Sequence, residues 1–252
     1  MASQEESMGL FDHIKELRQR LFRAVVAWII ATLAASAFAD ALVEWLVQPL
    51  RGGSVIVLSP TEAPIIYFKI ALATGFGLAL PYILYQIYGF VAPGLYPNER
   101  SVMLLGIPAV LVFFVLGALF TLQVLIPVSL PVLMGFLGEV VEPTYSLENY
   151  LSFVTTLVLW MGLLFQTPLV IYMISRFGLV TPNQLKQARK VVWFLAAIFA
   201  AVVTPTTDPV TLLLVTGPFI TLYELGILLA RIAGRQRQRH EQERENEALG
   251  ET

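Results

Sequence analysis

Residues 101–138 contain no Asp, Glu, Lys or Arg. About 20 predominantly apolar residues already make one helical crossing of a bilayer, so this single stretch points into a membrane. Residues 24–39, 70–98, 149–175 and 191–207 are equally free of charge, and residues 209–230 are interrupted once, by Glu224. Composition agrees: the chain is 57% hydrophobic and only 13% charged, with a mean hydropathy of +0.73, where a soluble domain carries about 25% charged residues. Too few charges remain to cover a water-facing surface. There is no Cys, which excludes disulfides, thiolate metal sites and a cysteine nucleophile. A net charge of -2 offers no overall basic character for nucleic acid, and none is expected as a partner.

Trimming the turn-rich ends predicts an all-α membrane protein of six transmembrane helices, near 21–39, 68–91, 101–126, 149–175, 190–203 and 209–230. They form one domain over residues 1–232. An even count puts both termini on one side, and basic residues are held on the cytoplasmic face. Fourteen of the sixteen Lys and Arg fall in segments 1–23, 92–100, 176–190 and 231–252, while only Arg51 and Lys69 fall in the others. Both termini are therefore expected in the cytoplasm. No cleavable signal sequence is expected, because no short apolar core precedes the first span. The charged tail, residues 233–252, is poor in hydrophobes and is expected to be disordered.

Helix starts are written into the loops. Thr181-Pro182-Asn183-Gln184 has the form of a capping box with proline at the first helical position, Asp208-Pro209 sets an acidic cap before the last span, and Ser146 with Glu148 does the same for the fourth. Pro81, Pro108, Pro168 and Pro218 lie within spans, where each removes a backbone donor and bends the helix. Several kinked helices predict a cupped bundle. The fifth span is short, about 14 residues rising roughly 21 Å against a hydrocarbon core of about 30 Å, which predicts a thinned bilayer beside it.

Enzyme signatures are absent: there is no phosphate-binding glycine loop, no H-E-x-x-H and no G-x-S-x-G. The two histidines, His13 and His240, lie far apart in sequence, so no metal site is expected. The chain reads as no enzyme, with no cofactor. Polar groups at membrane depth mark function, and here they are Glu224 and Gln166. Glu224 has two readings of equal weight: a carboxyl that is protonated or bonded to a neighbouring helix, and a functional group. Gln166, beside Thr167-Pro168, satisfies carbonyls freed by the kink or binds a partner. On the cytoplasmic side, Leu10, Ile14, Leu17 and Leu21 form one apolar helical stripe, expected to lie along the membrane surface before turning into the first span. Glu16 and Arg20 fall at i, i+4, where a solvated pair is worth a few tenths of a kcal/mol. Glu99 opens the third span, where an acidic residue suits the helix dipole.

Two words carry more than these single residues. His13-Ile14-Lys15-Glu16-Leu17-Arg18-Gln19-Arg20-Leu21 and Phe90-Val91-Ala92-Pro93-Gly94-Leu95-Tyr96-Pro97-Asn98-Glu99-Arg100 closely resemble the TatC family, the multispanning subunit of the twin-arginine protein translocase. The likeness continues through Asn149-Tyr150-Leu151-Ser152-Phe153, Phe165-Gln166-Thr167-Pro168, Gly178-Leu179-Val180-Thr181-Pro182, Thr204-Pro205-Thr206-Thr207-Asp208-Pro209 and Tyr223-Glu224-Leu225-Gly226. It covers roughly residues 10–232.

The resemblance implies a receptor for the Arg-Arg signal peptides of folded proteins. Such a receptor sits in the bacterial cytoplasmic (inner) membrane and assembles with single-span TatA and TatB type subunits, with membrane lipids and with other copies of itself. Export would draw on the proton motive force. By resemblance Glu16 and Glu99 match two carboxylates that hold the paired arginines, and Arg18, Pro49, Phe90 and Asp208 match positions important to translocation. Leu17 and Phe90 offer apolar surface to the hydrophobic part of the peptide, and Gln166 occupies a mid-span position that is Glu or Gln across the family. The alternative is a proton-coupled secondary transporter of a small solute, for which kinked helices and one buried carboxyl speak. An intramembrane hydrolase lacks a nucleophile and base.

Overall fold

A computed structural model of the chain describes residues 10–50, 55–91, 99–135, 145–204 and 208–249. The helices are α1 (Leu10–Ser36), α2 (Ala39–Val47), α3 (Glu62–Val91), α4 (Glu99–Phe120), α5 (Ile126–Gly135), α6 (Leu147–Leu164), α7 (Thr167–Arg176), α8 (Pro182–Val203) and α9 (Pro209–Leu249). Among the described residues, five segments are long and apolar enough to cross a membrane: Ile14–Ser36, Glu62–Ile87, Gly106–Leu133, Leu147–Arg176 and Pro209–Gly234. The all-α membrane fold is as the uncharged stretches require.

Several boundaries differ from expectation, each for a physical reason. The N-terminal stripe does not lie flat and then turn, because α1 runs unbroken from Leu10 to Ser36, about 40 Å of continuous helix. Ile14, Leu17 and Leu21 stay exposed on it. The fifth span belongs to a helix of 22 residues, Pro182–Val203, so the helix itself is not short. What is short is its apolar part, since backbone bonds propagate through Lys186, Arg189 and Lys190 as readily as through apolar residues. Its start is the capping box read from the sequence, with the Thr181 hydroxyl accepting from Gln184 N and Thr181 N donating to the Gln184 side chain at 2.8 Å. The tail, expected to be disordered, continues α9 without a break to Leu249, because nothing between Pro218 and Leu249 interrupts the hydrogen-bond ladder.

Proline acts unevenly. Pro81, Pro108, Pro131 and Pro218 lie inside continuous helices, and a single π-helical turn, Thr121–Leu125, joins α4 to α5. Pro168 instead sits in the first turn of a new helix, dividing the fourth span into α6 and α7 at Phe165-Gln166. Helix α7 is stopped by Gly178, whose φ of 72° lets Leu179 N reach back to Ile174 O and Gly178 N to Ser175 O.

At the end of the bundle where α1 stops and α3 and α6 begin, two short strands, β1 (Val55–Ile56) and β2 (Tyr145–Ser146), pair in parallel. Buried Glu62 ties this cap, accepting from Leu58 N at 3.2 Å and from the Ser146 hydroxyl at 3.4 Å. Tyr67 donates to Ser36 O at 2.7 Å and Tyr150 to Leu46 O at 3.1 Å, so aromatic hydroxyls fasten the ends of α1 and α2 to their neighbours.

The core joins Leu125, Ile126, Leu151, Val154, Leu157, Met161 and Val215. Helices in lipid gain little from hiding apolar surface and associate through close packing of small residues. Gly77 and Gly162 clasp the Phe114 ring, and a Cβ at Gly117 would lie 2.6 Å from the Met161 carbonyl oxygen. Two apolar cavities, of about 290 Å³ among α2, α3, α4 and α6 and about 250 Å³ among α3, α4 and α7, remain where the kinked helices part. Gly117→Val is expected to push α4 off α6 and cost about 1–3 kcal/mol, read as a lower thermal midpoint in detergent.

Candidate functional site

Helix α1 touches chiefly α3, and only 11% of its apolar window is buried. Its attachment is specific nonetheless. Trp28 Nε1 donates to Leu72 O at 3.0 Å, and its ring meets Phe76 edge-on. Two to three turns into α1 from the end that the charge pattern predicts to be cytoplasmic, Glu16 and Arg20 form an ion pair. Arg20 Nε and Nη2 both donate to Glu16 Oε1, at 2.8 and 2.5 Å. These side chains are only 21% and 23% exposed, so the pair is more sheltered than the solvated i, i+4 contact its spacing suggests.

The guanidinium has a seat on the neighbouring helix. A Cβ at Gly89 would lie 2.0 Å from Arg20 Nη1, so the guanidinium occupies space that a side chain at residue 89 would take. Gly89 lies in the last turn of α3, where unpaired carbonyls favour a cation. Phe90, the next residue, is half-buried, while Leu17 and Arg18 are exposed. The structure thus gathers Glu16, Arg20, Gly89 and Phe90 into one neighbourhood. Glu99 is the first residue of α4, and its side chain lies outside the described residues.

The remaining sequence-derived positions fall elsewhere. Pro49 is half-buried in the 3-10 turn Gln48–Leu50, and Asp208 is buried at the start of α9, accepting from Thr211 N at 2.7 Å. Both stand at the opposite end of the bundle from Glu16. Gln166 is 5% exposed at the α6–α7 break. There its backbone N bonds Leu163 O, leaving the Gly162 carbonyl to the Gln166 side-chain amide, which donates to it at 3.4 Å and to Val110 O of α4 at 3.0 Å. It stitches the break in the fourth span to the third.

Glu224 is bonded to a neighbouring helix, forming an ion pair with Arg189 of α8. Tyr223 beside it donates to Leu185 O at 2.7 Å. Arg189 was legible only as a loop cation, because no spacing rule links residues that far apart. Arg176, counted among the same cations, is 7% exposed at the end of α7. Gly89 carried no signal at all until α1 was laid against α3. Among the described residues no cluster of His, Asp and Glu has the form of a metal site.

Comparison with known proteins places this arrangement. Residues 12–218 match the family model described as Sec-independent protein translocase protein (TatC). The chain is 36% identical over 236 residues to the Sec-independent protein translocase protein TatC of Aquifex aeolicus, covering 91% of this chain and 98% of that one. It is 37% identical over 231 residues to the TatC protein of Synechocystis, covering 90% of each. A crystal structure described as the twin arginine translocase receptor TatC superposes with a TM-score of 0.77 at 36% identity, covering 88% of this chain and 99% of that one.

Replacing Gln166 with Leu removes both bonds to carbonyls in a water-free setting. A loss of about 1–3 kcal/mol in stability is expected, measured as a lower unfolding midpoint in detergent.

Proposed function

The chain belongs to the TatC family of Sec-independent protein translocase proteins, and we propose that it is the receptor that binds the Arg-Arg signal peptides of folded proteins. The observation that carries this reading is the state of Glu16: a carboxylate at the terminal end of the bundle already grips a guanidinium through two donors. Arginine suits such a site because its planar fork can use two donors at once, as the point charge of lysine cannot.

Magnitude supports the location. An exposed ion pair is worth about 0–1 kcal/mol, whereas a hydrogen bond to a charged group contributes about 1.5–3 kcal/mol when sheltered. A receptor that discriminates arginine pairs needs the sheltered kind, and Glu16 lies four-fifths covered. Glu99 supplies the second carboxylate, while Leu17 and Phe90 offer apolar surface to the hydrophobic part of the peptide. Arg18, Pro49 and Asp208 serve translocation, the last two through the opposite end of the molecule.

The chain crosses the bacterial cytoplasmic (inner) membrane six times, counting α8, with both termini in the cytoplasm. The distribution of fourteen of sixteen basic residues supports that orientation. It assembles with TatA and TatB type single-span subunits, with lipids and with further copies of itself, and the proton motive force drives export of the folded cargo. Pairing of Glu224 with Arg189 of α8 gives that carboxyl a structural partner, which accounts for it without a proton-coupled transporter.

The test is site-specific crosslinking from position 99 to an Arg-Arg signal peptide in membranes. Glu16→Ala and Glu99→Ala are each expected to weaken signal-peptide association, and the double variant to abolish it with the protein still folded. Undiminished signal-peptide association in the Glu16→Ala, Glu99→Ala double variant overturns the assignment, as does the lack of any crosslink from position 99 in a chain that keeps Glu16.

A further inference from the structure

Arginine meets a carboxylate most often as a fork, one donor to each oxygen. Arg20 does otherwise: Nε and Nη2 both go to Glu16 Oε1. The other oxygen, Oε2, is buried and has no hydrogen-bond partner among the described residues. An ionised carboxylate has room for about four donors, and a buried oxygen left without one is costly. The guanidinium meanwhile lies over Gly89, in space that a Cβ at residue 89 would share with Nη1 and Cζ, so a side chain there would shift it.

Building on the receptor reading above, we propose that Arg20 is a positioning residue for arginine recognition. Lying over Gly89, it occupies one oxygen of Glu16 and leaves the second, buried and without a donor, for a guanidinium that displaces what covers it, so that one arginine of the peptide completes an Arg-Glu-Arg arrangement. The peptide adds to the internal pair and does not displace it. Two anchors make this the favoured order. Arg20 is bonded to Glu16 through two donors and lies beside the last turn of α3, whose dipole favours a cation, whereas Oε2 gains its first donor only when the peptide arrives. Lysine at position 20 keeps the charge and loses the planar fork that fixes the carboxylate.

The experiment uses the full chain in lipid nanodiscs and fluorescent signal peptides bearing either Arg-Arg or Lys-Lys. Arg20→Lys, Arg20→Gln and Gly89→Ala are each expected to weaken Arg-Arg binding about tenfold. Lys-Lys binding is expected to change less than about twofold, so the preference for arginine collapses while helicity and thermal midpoint hold. Should Gly89→Ala fail to fold, the two Arg20 variants decide the matter. Unchanged binding in them makes Arg20 a bystander, and tighter Arg-Arg binding makes it a competitor; either result overturns the proposal. Glu16→Ala is run beside them. If it leaves binding intact, the receptor reading of Glu16 fails as well; if it weakens binding while Arg20→Lys does not, only the positioning role is lost.

Discussion

Inside hydrocarbon there is no water to take up a stray backbone donor or acceptor, so every amide must find its partner within the protein. That constraint shapes each irregularity in this chain. Where the fourth span breaks, the Gln166 side chain binds the Gly162 carbonyl that its own backbone has left, and reaches across to Val110 O. Thr121, Ser129 and Thr204, buried at or near turns and prolines, return their hydroxyls to carbonyls four residues earlier at 2.7–2.9 Å. Polar side chains in the bundle thus find inside the protein the partners that water supplies elsewhere.

The same absence of water removes the usual drive for helices to associate, and shape takes its place. Glycines set the closest approaches: Gly75 against Thr32, Gly117 against the α6 backbone, Gly226 against Ile171. Gly89 belongs to this set by geometry, yet what fills its space is a guanidinium. A packing device of the bundle thus becomes the seat of a charge at the place where α1 meets α3.

Much of the fold was legible because the relevant physics is one-dimensional. Uncharged runs of bilayer length, the Thr181 capping box and a disturbance of the fourth span at Pro168 are all local patterns, and the structure contains them. The Arg189–Glu224 pair, the β1–β2 contact and the burial of Arg176 were not legible, since each joins or hides residues distant in sequence. The N-terminal stripe and the tail misled for a related reason. Amphipathic spacing says which face a helix presents without saying whether it bends, and low hydrophobicity says that a tail has no core to join without forbidding it from extending a helix already nucleated. At the candidate site, the motif around Glu16 was readable as a word, while its geometry was not.

By itself the sequence determined that this protein lives in a bilayer, how its helices are spaced along the chain, and which family it resembles, because hydrophobic length, charge placement and motif order are properties of a string. Only the tertiary structure decided that Glu16 spends one oxygen on Arg20 and that Arg20 rests on Gly89. That arrangement depends on two helices approaching closely enough to exclude a side chain, and interhelix distance is not written in any single segment.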